Sequence, residues 1–265
     1  MCDAMRVLIT NDDGVFAEGI RVLAECAREV FEDVAVVAPD VERSAISQAI
    51  SLHEPLRVEE LEPNRWAVSG TPVDSVFIAL GHLLADARPD LVLSGINHGP
   101  NVGFDVYYSG TVGAAREALV HGIPAVALSL SARDTASLEA LRPAIIEVLG
   151  LIRELGVPPG TLLNVNFPEP RPAEWPDAHW AGVAGLRGLR VTDLGRRYYG
   201  NEVVHREDPR GRSYYWIGGA FPRLEERAGT DCDVVRLGYV SVTPIGLDAT
   251  RRDVFFALAP FHQDG

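Results

Sequence analysis

The sequence predicts an α/β protein: a Rossmann-like three-layer sandwich on a mostly parallel sheet, followed by C-terminal extended β-hairpin arms. Three observations predict it. Short apolar β-type runs alternate with stretches of helical period from residue 7 to residue 167. Strand and helix alternating at this spacing make βαβ units, with parallel strands and right-handed crossovers. After Pro168 the texture changes to Gly, Arg and Tyr among β-type residues, with little core of its own. The 265 residues read as one domain, a core with the site over 1–168 and an arm region over 169–265.

The elements follow in order. Val7–Thr10 is a short apolar strand. Glu18–Phe31 repeats apolar residues at Ile20, Leu23, Ala24, Ala27 and Val30, a helical period. Val34–Ala38 is a second strand, closed by Pro39-Asp40, and Trp66–Val68 a third, shorter one. Val73–Leu84 reads as a helix with Pro72 in its first turn. Leu91–Leu93 is a buried strand closed by Ser94-Gly95, and Asn97–Gly110 a long stretch without regular structure. Val112–His121 is a helix stopped by Gly122 and Pro124. Ala125–Leu130 and Leu162–Phe167 are strands, separated by a longer helix over Ser137–Leu155.

Pro168–Pro176 is proline-rich. Arg187–Tyr215, containing Arg196-Arg197-Tyr198-Tyr199 and leading into Tyr214-Tyr215-Trp216, reads as extended hairpins. Such arms need the parent domain or a second subunit to pack against. Thr230–Leu237 and Tyr239–Thr243 read as a short helix and a returning strand.

Composition narrows the chemistry. Hydrophobic residues make up 47 %, enough for a sizeable core. The formal net charge of −13 disfavours a nucleic-acid polymer as partner, because binding its backbone needs a basic stripe. The chain has no lysine, which excludes a Walker-A phosphate site, a Schiff base and a pyridoxal-phosphate anchor. No Gly-x-Gly-x-x-Gly turn follows the first strand, which argues against a dinucleotide site. Cys2, Cys26 and Cys232 are too few and too scattered for a disulfide framework or a zinc site, and Cys26 reads as a buried thiol. No signal peptide and no apolar run of membrane-spanning length is visible, so the expected location is the cytoplasm.

The chemistry-bearing residues lie in four loops after strands. They are Asn11-Asp12-Asp13-Gly14, Pro39–Ala45, Ser69–Asp74, and Ser94–Gly103 running on to Tyr108-Ser109-Gly110-Thr111. In a parallel sheet these loops emerge at one edge and can share a site. Asp12 and Asp13 are adjacent like charges, which a hard divalent cation would relieve; the tripeptide reads equally well as an Asx turn. An all-oxygen donor set suits Mg²⁺ or Mn²⁺ better than zinc. Ser109-Gly110-Thr111 opens a helix, where backbone N–H groups and the dipole favour an anion; an ordinary N-cap is the alternative. Gly70-Thr71-Pro72 reads as a structural loop-to-helix entry. His53, His82, His98 and His121 lack metal-ligand spacing.

These loops, taken in series, resemble the SurE family of stationary-phase survival proteins. The matching text is Thr10–Gly14, Ala38-Pro39-Asp40-x-x-Arg43-Ser44-Ala45, Gly70–Asp74, Ser94-Gly95-Ile96-Asn97-x-Gly99-Pro100-Asn101-x-Gly103-x-Asp105, Tyr108–Ala115 and Gly238–Pro244. The resemblance covers nearly the whole chain in the right order. It implies one divalent metal cation per subunit, held by Asp12, Asp13, Ser44 and Asn97. It implies hydrolysis of nucleoside 5′- and 3′-monophosphates, with short polyphosphate as a further substrate, and a homodimer or homotetramer built through the arms.

The expected chemistry is hydrolytic phosphoryl transfer. Asp12 or Asp13 orients or deprotonates the attacking water, while Asn101, Ser109, Gly110 and Thr111 hold phosphate oxygens. A phospho-aspartyl mechanism would place Asp-x-Asp after the first strand, and Asn11-Asp12-Asp13 lacks that spacing. A calcium-dependent nucleoside hydrolase and a nonenzymatic nucleotide-binding protein are the two alternatives.

Overall fold

The computed structural model describes residues 5–132, 135–200, 202–218 and 223–255; Cys2 lies outside them. The elements are β1 (Arg6–Thr10), α1 (Glu18–Val30), β2 (Asp33–Pro39), β3 (Val58–Glu62), β4 (Arg65–Val68), α2 (Pro72–Ile78), β5 (Leu91–His98), α3 (Gly110–Val120), β6 (Ala125–Ser131), α4 (Ser137–Leu155) and β7 (Thr161–Pro168). The C-terminal part adds β8 (His179–Trp180), β9 (Val183–Ala184), β10 (Gly188–Val191), β11 (Arg197–Tyr198), β12 (Val203–Glu207), β13 (Ser213–Ile217), β14 (Arg223–Leu224), α5 (Asp231–Arg236) and β15 (Tyr239–Gly246).

Nine strands form the central sheet in the order β10-β15-β7-β6-β5-β1-β2-β4-β3. Six of its pairings are parallel; β15 with β7 and β3 with β4 are antiparallel. Strand alternation splits the interior into two cores. Val7 and Ile9 point to the face covered by α1 and α4, with Ile20, Leu23, Leu141 and Ile145. Leu8, Ala35 and Val37 point to the opposite face, under α2 and α3. The result is the expected three-layer sandwich. Gly19 sets the seat of α1: a Cβ there would lie 1.9 Å from the Ile96 carbonyl oxygen, so only glycine lets the helix reach β5.

β1 is flanked by β2 on one side and β5 on the other. The chain therefore reverses its direction of travel across the sheet at β1. Ligand crevices in open α/β sheets form at such a switch point, beyond the carboxyl ends of the strands. Asp12 and Asp13 follow β1, and Asn97 sits near the end of β5.

Several expectations are corrected. The helix expected over Val73–Leu84 is regular only to Ile78 and continues as a π-helical turn over Ala79–Leu83. The Asn97–Gly110 stretch is not structureless: β5 runs to His98, and Gly103–Tyr107 forms a 3-10 turn. The Arg187–Tyr215 region is not all hairpin. β10 joins the main sheet parallel to β15, β11 pairs with β14, and only β12 with β13 stands as a free hairpin. β15 reaches Gly246 and is inserted between β10 and β7. β3 was not expected, because its sequence, Val-Glu-Glu-Leu-Glu, is largely exposed and lacks an apolar face. Among the described residues no helix is long and apolar enough to cross a membrane.

Candidate active site

The turn after β1 is organised by Asn11, which is buried and whose side-chain amide donates to the Gly14 carbonyl at 2.9 Å. Asp12 follows, 4 % exposed. The Arg43 N–H donates to the Asp12 carbonyl at 2.7 Å and ties the β2–β3 loop, with Ser44, to this turn. Thr111, in the first turn of α3, gives its hydroxyl to one Asp12 carboxylate oxygen and its N–H to the other, the latter at 3.1 Å.

At the start of α3, where the sequence suggests a phosphate cradle, Thr111 binds the protein's own Asp12 carboxylate. Thr111 is fully buried, and both of its donors are committed. Gly110 supplies clearance: a Cβ there would lie 2.9 Å from the Asp12 Cβ and 3.0 Å from its Oδ2. Ser109 caps α3, its Oγ accepting the Val112 N–H at 3.0 Å, which leaves its hydroxyl hydrogen for another acceptor.

Burial pushes the Asp12 carboxyl up to about 6, the charge of Asp13 adds to this, and the Thr111 hydrogen bonds pull the other way. Asp13 accepts the His98 N–H at 3.0 Å. Its carboxyl is also raised, chiefly by burial, with Glu42 contributing like charge. Ser44 is exposed and its hydroxyl donates to Glu42 at 2.7 Å. The Asn97 amide donates to the Gly99 carbonyl at 2.7 Å, which turns its Oδ1 away from that carbonyl.

A cavity of about 660 Å³ opens here. Asp12, Ser44, Asn97, Asn101 and Ser109 line it, so five residues expected from sequence converge. Asp13 does not line it but accepts the backbone N–H of His98, which does, while Gly110 and Thr111 stand behind Asp12. Among the described residues no three His, Cys, Asp or Glu side chains form a metal-holding group. The donor set is two desolvated carboxylates, Asp12 raised further by the charge of Asp13 and Asp13 by that of Glu42, beside the neutral oxygens of Ser44 and Asn97. That chemistry fits a hard divalent cation.

Sequence reasoning missed the wall from the C-terminal part. Arg197 and the Tyr199 hydroxyl both donate to Asp105, the latter at 2.6 Å, and all three line the cavity with Ile217 and Gly218. Asp231, fully buried, accepts the N–H groups of Gly103 at 2.8 Å and Gly195 at 2.7 Å and fastens the same junction. No local pattern links residues so far apart. Thr71 and Asp74 form the capping box of α2, and Asp74 also accepts the Ser51 N–H, so that loop is structural as expected.

The family model described as Survival protein SurE matches residues 7–201. The chain belongs to the SurE family. A protein named 5'-nucleotidase SurE from Anaeromyxobacter dehalogenans (strain 2CP-C) is 50 % identical over 257 residues, 95 % of this chain and 93 % of the relative. One of the same name from Geobacter metallireducens is 47 % identical, covering 93 % of each chain. The crystal structure of the SurE protein from Aquifex aeolicus superposes with a TM-score of 0.81 at 36 % identity, over 97 % of this chain and all of that one. The two chains thus share one fold over nearly their whole length.

Proposed function

We propose that the protein is a metal-dependent phosphomonoesterase that hydrolyses nucleoside 5′-monophosphates to nucleoside and phosphate. The observation that carries this reading is the convergence of Asp12, Ser44 and Asn97 with Asn101 and Ser109 on one cavity, with Asp13 next in the chain to Asp12 and bonded to the backbone of the cavity residue His98. Membership of a family whose relatives are named 5'-nucleotidase supports it. Nucleoside 3′-monophosphates and short polyphosphate are further substrates within the same chemistry.

Asp12, Asp13, Ser44 and Asn97 would hold one divalent cation, Mg²⁺ or Mn²⁺, per subunit. When bound, such an ion neutralises phosphate charge and lowers the pKa of a water. Asp12, fixed at both oxygens by Thr111, takes the proton from the attacking water. Ser109 and Asn101 donate to phosphate oxygens and stabilise charge that grows in the transition state. Asp13, tied to the His98 backbone, holds the β5 end against the β1 turn. The exposed β12–β13 hairpin supports a homodimer or homotetramer. The net charge of −13 speaks against a nucleic-acid polymer, and free buried Cys26 and Cys232 suit a reducing, cytoplasmic setting.

The test is phosphate release from a panel of nucleoside 5′- and 3′-monophosphates with Mg²⁺, Mn²⁺ or chelator. Release that requires the metal and falls at least a hundredfold in Asp12→Asn bears out the reading, on the scale expected for a lost general base. Release of free base, or no turnover with any metal, would overturn it.

A further inference from the structure

β7 reads Thr-Leu-Leu-Asn-Val-Asn-Phe-Pro, and its two asparagines break an otherwise apolar buried strand. Asn164 and Asn166 are both fully buried and, two residues apart, share one face. Burying primary amides is costly unless they are paired, so their partners matter. Both turn to a single residue, Asn101, in the loop after β5. Asn166 accepts the Asn101 N–H at 2.8 Å and donates back to the Asn101 carbonyl at 3.2 Å. Asn164 donates to the same carbonyl at 2.8 Å. The Asn166 side chain thus replaces the strand partner that the loop lacks.

The side chain of Asn101 is held as well. Its Nδ2 donates to Ser129 Oγ at 2.8 Å, and Ser129 is fully buried on β6. In the sheet register Ser129 lies between Asn97 on β5 and Asn166 on β7. One polar row therefore joins a proposed metal ligand, the seat of Asn101 and the strand behind it. With one Nδ2 hydrogen committed to Ser129, the amide has one donor left, and Asn101 lines the cavity.

We propose that Ser129 and Asn166 are positioning residues for phosphate binding. Ser129 fixes the rotation of the Asn101 amide, and Asn166 fixes the height of its backbone. Neither lines the cavity; both act through Asn101. The inference rests on the reading of Asn101 as a phosphate contact.

The experiment is a double-mutant cycle on the metal-loaded protein, with Ser129→Ala, Asn101→Ala and both together. The readouts are KM and kcat for a nucleoside 5′-monophosphate and inhibition by inorganic phosphate. Each single change should raise KM and the phosphate inhibition constant about tenfold, the scale of one hydrogen bond to a charged group, with a smaller effect on kcat. The double variant should be no worse than Asn101→Ala alone, because Ser129 has nothing left to orient. Asn166→Asp keeps the volume but sets a carboxylate oxygen against the Asn101 carbonyl, and it should raise KM while thermal melting stays cooperative. Additive losses in the cycle, or wild-type constants in Ser129→Ala and Asn166→Asp, overturn the proposal while leaving the proposed activity intact. Wild-type constants in Asn101→Ala overturn its premise. A wild-type protein without phosphatase activity overturns the functional reading itself.

Discussion

Thr111 hydrogen-bonds both carboxylate oxygens of Asp12, one through its hydroxyl and one through its backbone N–H. A buried carboxylate needs such partners, and two donors on one rigid helix turn fix its plane. Thr111→Val keeps shape and N–H but removes the hydroxyl. Loss of one hydrogen bond to a charged group should lower kcat ten- to hundredfold, from about 1.5–3 kcal/mol. Thr111→Ser should restore most of the rate. Steady-state kinetics with a nucleoside monophosphate checks this, and equal rates in all three proteins would remove the orienting role.

The same burial links stability to pH in the metal-free protein. Asp12 has its carboxyl pushed up to about 6, above the ordinary 3.8, so the folded state binds this proton more tightly than the unfolded chain. Its ionised form destabilises the fold above about pH 6, and the effect fades as the pH falls toward 3.8. Asp12→Asn carries no such charge. With chelator present, the melting temperature of Asp12→Asn minus that of the wild type should be largest near pH 7.5 and shrink toward pH 5. The difference corresponds to on the order of 2–3 kcal/mol at neutral pH. A gap that is constant with pH would show that Asp12 is not the linked group.

Much of the site is legible in the sequence because it lies at strand ends. Asp12, Ser44 and Asn97 each follow an apolar run, and parallel topology delivers all three to one edge. The partner of Thr111 is not legible. A helix start favours any anion, and nothing local says that this one is a side chain 99 residues away. The Asn101 seat leaves a faint trace, two asparagines in a buried strand, which a purely hydrophobic reading of Leu162–Phe167 passes over. β10 escapes for a similar reason: Gly-Leu-Arg-Val carries too few apolar residues to announce a sheet strand, and its pairing with β15 is long-range.

Gly110 offers a test of steric fit that is separate from charge. Alanine is the better helix former, so on propensity alone Gly110→Ala stabilises α3 by up to about 1 kcal/mol. Its Cβ, however, would meet Asp12 at 2.9 Å and the Ile46 side chain at 3.2 Å. Asp12 must then shift, and with it the proposed acceptor of the water's proton. The expected outcome is a folded protein with kcat reduced at least tenfold, since displacements of about 1 Å at a reacting group are that costly. Full activity with a higher melting temperature would show that the close approach has no catalytic weight.

The β12–β13 hairpin tests the proposed assembly. All ten of its strand residues are exposed, among them Tyr215, Trp216 and Ile217, the last at 95 %. An isolated two-stranded hairpin is marginal in water, and contiguous exposed aromatic and aliphatic groups mark an interaction surface. A second copy of the chain is the proposed cover. Tyr215→Glu with Trp216→Glu puts two like charges into that contact and leaves the main sheet untouched. Light scattering after size-exclusion chromatography should give two or four monomer masses for the wild type and a shift toward one for the variant. The hairpin also supplies Ile217 to the cavity, so the monomeric variant should show a raised KM for the nucleotide. A wild type that elutes as a monomer, or a variant whose mass is unchanged, would remove the hairpin from the assembly.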